Sequence, residues 1–162
     1  MSIAIKNRGR AHFYLGHYAE AVADHREGLR YDSTNAFLVL WLYMLQKHIG
    51  PADTATLAAQ LMRTDTVNWP APVGRFFLGR ISPDQLTAAA ERPDPTTRRD
   101  QRCEDFFIGE WLLWQQKHAE AKSRFEKARA KCPSDASEYQ GAVAELKRQG
   151  ASGETGQARL NR

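Results

Sequence analysis

Five histidines and two cysteines are the residues of this chain best suited to proton transfer, nucleophilic attack or metal ligation. The histidines fall at His12, His17, His25, His48 and His118, without the paired ligand spacing that puts two imidazoles and a metal on one helix face. No nucleophile elbow, marked Cys–His arrangement or glycine-rich phosphate loop accompanies them. The histidines therefore read as structural, and neither catalysis nor a cofactor nor a metal is expected. Cys103 and Cys132 are too few for a disulfide scaffold or a zinc site.

Cationic groups are the next candidates. Arg98, Arg99 and Arg102 cluster, as do Lys122, Arg124, Lys127, Arg129 and Lys131. The second group is interleaved with Glu120 and Glu126, the pattern of a solvated, self-paired helix face. No module that reads DNA or RNA appears, so nucleic acid is not expected as a partner. A net charge of +4 is compatible with an acidic partner without requiring one. The 42% hydrophobic share, beside 26% charged residues, belongs to a folded globular chain. No run of 18 apolar residues exists, so no membrane span is expected. Lys6 and Arg8 stand where a signal peptide would carry its apolar stretch.

The elements that must position these residues are helices in repeat. An offset of 100 residues aligns Tyr18-Ala19-Glu20-Ala21 with His118-Ala119-Glu120-Ala121, and Gly9 with Gly109. Three tetratricopeptide periods of about 34 residues, less a small deletion, give that offset. The last copy reads Ile108-Gly109, Leu112, Ala121, Phe125, Ala128 and Pro133, which resembles the tetratricopeptide signature. Gly109 and Ala121 are small where two antiparallel helices approach, and Pro133 stops the second helix. In the first copy His12 and His25 stand where aromatic rings are usual. Between them, Asn35–His48 and Asp53–Arg63 read as helices around Gly50-Pro51, and Val73–Arg80 and Pro83–Glu91 as a shorter pair. Ser82 is the expected N-cap of the last. Trp69-Pro70-Ala71-Pro72 and Arg92-Pro93-Asp94-Pro95 read as breaks. Residues 135–149 form an amphipathic end helix. The expected fold is an all-α, right-handed tetratricopeptide-like solenoid of about four helix pairs plus that end helix, over residues 1–149. Residues 150–162, with three glycines, are expected to be a disordered C-terminal tail.

The degenerate centre carries a narrower resemblance. Ala36-Phe37-Leu38-Val39-Leu40-Trp41-Leu42-Tyr43, then Trp69-Pro70, then Phe76-Phe77-Leu78-Gly79-Arg80-Ile81-Ser82, then Cys103-Glu104-Asp105-Phe106-Phe107-Ile108-Gly109-Glu110 is similar to the NlpI-type bacterial tetratricopeptide lipoproteins. The resemblance spans roughly residues 5–147. It implies a scaffold at the bacterial envelope that binds proteases and cell-wall hydrolases, with a periplasmic or envelope-associated location. The chain departs from that pattern in having no signal peptide or lipid-bearing cysteine, and in starting inside what should be a repeat's first helix. Upstream repeats are then missing, or the chain is a shortened relative. The alternative is a cytosolic cochaperone-like module that binds C-terminal peptides, with Lys6, Asn7 and Arg10 as a carboxylate clamp.

Helical phase selects a groove. Phe106, Glu110 and Leu113 lie within about 100° of Gly109 around their helix, beside the packing stripe. Their equivalents are Lys6, Arg10 and Phe13 in the first repeat, and Leu40, Met44 and Lys47 in the second. Trp114 is placed at the groove's edge. Core packing is the alternative for Trp114. Phe106, Leu113, Leu40, Met44, Lys6 and Arg10 are expected to be more exposed than Leu112, Phe125 and Leu146, and the groove to hold an extended or helical peptide carrying carboxylates. Self-association is expected through apolar surface at Ile3, Ile5, Tyr14 and Val22. Cys103 starts one helix and Cys132 ends its antiparallel partner, so the two either form a disulfide or remain two unrelated, partly buried thiols.

Overall fold

The computed structural model describes residues 3–92, 94 and 96–160, and of residues 153–160 the backbone only. Every regular element among them is helical. Four helix pairs stack in order: α1 (Ile3–Tyr14) with α2 (Tyr18–Tyr31), α3 (Ala36–Ile49) with α4 (Thr54–Leu61), α5 (Ala71–Phe77) with α6 (Pro83–Ala90), and, after the single turn α7 (Arg98–Gln101), α8 (Glu104–Trp114) with α9 (His118–Lys131). The long α10 (Ser137–Leu160) completes the stack. The architecture is a helical-repeat solenoid of the tetratricopeptide-like kind. No helix of the described residues is long and apolar enough to cross a membrane.

The offset of 100 residues is visible in three dimensions. Both bounds of α2 recur in α9 at that spacing, and so does the connecting turn. Gly16 takes a φ of 77° and Gln116 a φ of 61°, so a left-handed residue reverses the chain in both copies. Only the first copy uses glycine for it. Gly9 and Gly109 mark a close helix approach within each pair: a Cβ on Gly109 would lie 2.5 Å from the Phe125 ring, and one on Gly9 would lie 2.8 Å from His25 Nδ1. His25 thus occupies the place of Phe125. It is buried, burial holds its pKa below the ordinary value, and the neutral ring donates from Nδ1 to the Ala21 carbonyl at 2.8 Å. Its face stacks on Trp41, so it serves as the aromatic the pattern asks for.

α3 is apolar around its whole circumference, which only a central helix tolerates. It packs against α2, α4, α5 and α8, with the eight residues from Leu38 to Leu45 all buried. Local chemistry sets the helix starts. Asn35 accepts from the Leu38 N–H at 3.2 Å, Asp53 from the Ala55 and Thr56 N–H groups at 3.0 Å each, and Ser82 with Gln85 forms a capping box. The break at Trp69-Pro70 contains a cis peptide and buries the indole. Pro93 and Pro95 of the second break lie outside the described residues.

A disulfide joins Cys103 to Cys132, with Cα atoms 4.7 Å apart, and ties the start of α8 to the end of α9. Ion pairs run along the same seam. Lys131 binds Glu104 and Asp105, and Arg124 binds Asp105 at 2.7 Å. Two of the five basic residues of the α9 cluster, Arg124 and Lys131, are therefore neutralised from within.

Two expectations need correction. α10 continues as helix through residue 160, where a disordered tail was expected from residue 150; residues 161–162 lie outside the described part. The apolar surface expected at the first pair is largely covered. Val22 is buried, while Tyr14 is half-buried and its hydroxyl donates to the Ser137 carbonyl at 3.1 Å. Ile5 is half-buried and Ile3 remains exposed.

A cleft between the third, eighth, ninth and tenth helices

The groove chosen from helical phase exists as a direction, but most of it is filled. Phe13, Leu40, Met44, Phe106 and Glu110 are all 0% exposed and line no open surface. The expectation that Phe106, Leu40 and Met44 exceed Leu112, Phe125 and Leu146 in exposure is overturned. Leu40 and Met44 are on α3, which packs against α2, α4, α5 and α8; for Phe13, Phe106 and Glu110 the reason is α10, which lies against α1, α8 and α9. Gly141 permits the approach, since a Cβ there would stand 2.6 Å from the Phe106 ring. Polar groups fix the register. The Trp41 indole donates to Glu138 Oε1 at 3.1 Å, and Arg148 Nη1 donates to the Phe13 and Tyr14 carbonyls at 3.1 and 3.3 Å. Those carbonyls close the last turn of α1; that of Phe13 already accepts from the Gly16 N–H at 2.9 Å, and Arg148 adds a second donor.

What α10 leaves open is one cleft of about 870 Å³. Lys47 comes to it from the end of α3, Leu113 and Trp114 from the end of α8, and His118 and Lys122 from the first turns of α9. Tyr18 closes one end, and Arg148 and Gln149 of α10 form the remaining wall. Three of the ten groove residues, Lys47, Leu113 and Trp114, are thus brought together. Lys6 and Arg10 are not: they line a separate pocket of about 190 Å³ with His25, Asn35 and Trp41. Lys6 there sits 4.0 Å from Asp32, so a free carboxylate clamp is not what the chain forms.

The floor of the cleft is ionic. His48 Nε2 bonds Glu110 Oε2 at 2.8 Å and lies 3.9 Å from Glu145 Oε1, while Arg148 grips Glu145 through Nη2 at 2.5 Å and Nε at 3.3 Å. The His48 ring stacks flat on Tyr18, with centroids 4.3 Å apart. Complete burial, reinforced by Glu145, pushes the Glu110 carboxyl up to about 7. Burial disfavours a charged His48, yet the attraction of Glu110 and Glu145 outweighs it and raises its pKa. Burial also pushes the Tyr18 phenol up to about 12. His48, Glu110 and Glu145 offer one nitrogen and two carboxylate oxygens within 4.8 Å of one another, a spacing at which a cation can be held. Their charges already close internally, His48 on Glu110 and Arg148 on Glu145. The cluster is therefore a self-neutralised base for the cleft. Sequence reasoning missed it because its members come from three helices far apart in the chain. Only Glu145 and Arg148, three residues apart on one helix, left a local signal.

No established family profile matches the chain. Over 85 residues, 52% of its length, it is 28% identical to a Lipoprotein NlpI homolog of Haemophilus influenzae (strain ATCC 51907 / DSM 11121 / KW20 / Rd). The match covers 27% of that protein, so the chain spans only about a quarter of the length of this relative. By architecture the chain is a tetratricopeptide-like helical solenoid, similar over half its length to an NlpI-type lipoprotein.

Proposed function

We propose that this chain is a non-enzymatic scaffold that holds other proteins, with the cleft between α3, α8, α9 and α10 as its docking site. The observation that carries this reading is the cleft itself, in a solenoid whose inner surface is elsewhere filled by α10. Four helices place polar and apolar side chains around one open volume, which is how helical stacks present a binding surface. As partners we propose envelope proteases or cell-wall hydrolases, met outside the cytoplasm, the class that the sequence resemblance to NlpI-type lipoproteins implies. The Cys103–Cys132 bond supports that compartment, because cytosolic proteins seldom keep such bonds. It weighs equally against a cytosolic module for C-terminal peptides.

Photo-crosslinking tests the docking site. A benzophenone side chain replaces Lys122 on the cleft in one variant and Lys127, an exposed residue elsewhere on α9, in another. The expected result is a small set of discrete protein adducts from position 122 in living cells, identified by mass spectrometry and absent from position 127. The same adducts from both positions, or none from position 122, would remove the cleft as the docking site.

A further inference from the structure

The charges and donors around the cleft define what kind of segment it can hold. Glu145 is its one lining carboxylate, and both of its oxygens are held by Arg148. That pair closes on itself and leaves Lys47 and Lys122 facing the opening, neither with a carboxylate partner among the described residues. Lys47 is also held in place, its Nζ 5.6 Å from the ring centres of both Tyr43 and Trp114.

Two further groups on the same walls lack acceptors. The Trp114 indole Nε1 and the Gln149 amide Nε2 are buried without a hydrogen-bond partner. Buried donors of this kind are ordinarily paired, and leaving one unpaired carries a desolvation penalty. Both groups donate, and the Trp114 indole stands beside Lys47, so the complement is a ligand rich in anionic acceptors. An ionised carboxylate accepts only and fits both demands. Leu113 adds an apolar stretch to the wall, which a small inorganic anion would leave unused. Stacked bases are disfavoured, because the aromatic faces are already taken: Tyr18 by His48, and Trp114 by Phe77, Tyr43 and Lys47.

We propose that the cleft recognises an acidic, partly apolar segment of a partner protein, with Lys47 and Lys122 pairing its side-chain carboxylates and Trp114 and Gln149 donating to it. This rests on the reading of the cleft as the docking site and adds the chemistry of what docks there.

The test measures fluorescence anisotropy of the full chain with a fluorescein-labelled decapeptide bearing glutamates at alternate positions, leucine and serine between them. Its counterpart carries glutamine in place of each glutamate. The acidic peptide is expected to bind at least about tenfold tighter than the glutamine peptide at low salt. The double variant Lys47→Gln with Lys122→Gln is expected to weaken it about tenfold, and Trp114→Phe, which keeps the ring and removes the donor, about threefold. Lys127→Gln with Arg129→Gln, on exposed positions of α9 that do not line the cleft, should leave binding unchanged, and all variants should melt with the parent. Equal binding of the two peptides, or no binding of either, overturns carboxylate recognition. In both cases the crosslinking result still decides separately whether proteins dock in the cleft. Equally tight binding of a single-stranded decanucleotide, lost in the double lysine variant, overturns the proposal in favour of a general polyanion site.

Discussion

His48 and Glu110 meet where neither can reach bulk water easily, and the proton between them links the floor of the cleft to pH. Both groups have pKa values raised in the fold, Glu110 to about 7. The folded chain therefore holds protons that the unfolded chain has released, and stability falls wherever that is so as pH rises. For Glu110 the contribution is complete below its ordinary 4.5 and is lost as pH climbs through about 7. For His48 the loss begins above its ordinary 6.5 and continues past its raised value. The melting temperature should thus decline from about pH 4.5 to pH 7 through Glu110, and further above pH 6.5 through His48. Glu110→Gln keeps an acceptor for His48 and removes one titrating group, so it should flatten the part of the decline that lies between pH 4.5 and 6.5. An unchanged slope in a scanning-calorimetry series would show that the cluster is not its source. The sequence placed Glu110 on an open groove, through its phase relative to Gly109, where the fold buries it completely. It could not make the carboxylate's partners legible, since His48 lies 62 residues away and its contact depends on the final packing.

Among the elements, α10 decides what the solenoid can present. Gly141 is the position that lets it settle on Phe106, whose ring is wholly buried and has no room to yield. Gly141→Ala gains about 1 kcal/mol of helix propensity but forces an overpacked contact worth about 1–3 kcal/mol. The net expectation is a melting temperature lowered by a few degrees, roughly 3–6 °C, read by circular dichroism. A rise would show that α10 can shift outward at little cost. The α8–α9 pair is fastened differently. Its disulfide encloses a sequence separation of 29 residues, so reduction or Cys103→Ser with Cys132→Ser should cost about 3–4 kcal/mol in urea unfolding. Identical midpoints with and without reductant would mean that the bond adds nothing. Helices whose starts carry their own chemistry were legible: Asn35, Asp53 and Ser82 each cap where the sequence puts a boundary. The far end of α10 was not, because its glycines read as a break by propensity while the backbone remains helical. The same gap explains the groove. Phase alone placed Phe106, Leu40 and Met44 on the groove stripe; the docking of α10 turns Phe106 into core, and the neighbours of α3 do the same for Leu40 and Met44.

At the scale of the molecule, Arg148 fastens the last helix to the first. It satisfies the terminal carbonyls of α1, balances Glu145 and covers the Phe13 ring at 5.0 Å. Arg148→Ala leaves Glu145 buried beside Glu110 without its counterion, and breaking such a pair costs about 3–5 kcal/mol. Urea denaturation should show a midpoint lowered accordingly, with a single transition; a change below about 1 kcal/mol would mean that the contact is ornamental. A single transition is itself informative, since in an ordinary helical array each repeat touches only its neighbours and ends can fray alone. Here Tyr14 bonds Ser137 across 123 residues, so the two ends stand or fall together. That contact also sets a timetable for the nascent chain. At about 5–20 residues per second, a ribosome delivers Ser137 roughly 6–25 s after Tyr14. For most of that interval Phe13 and Trp41 must wait without the helix that covers them, and a chaperone that shields apolar side chains has its substrate.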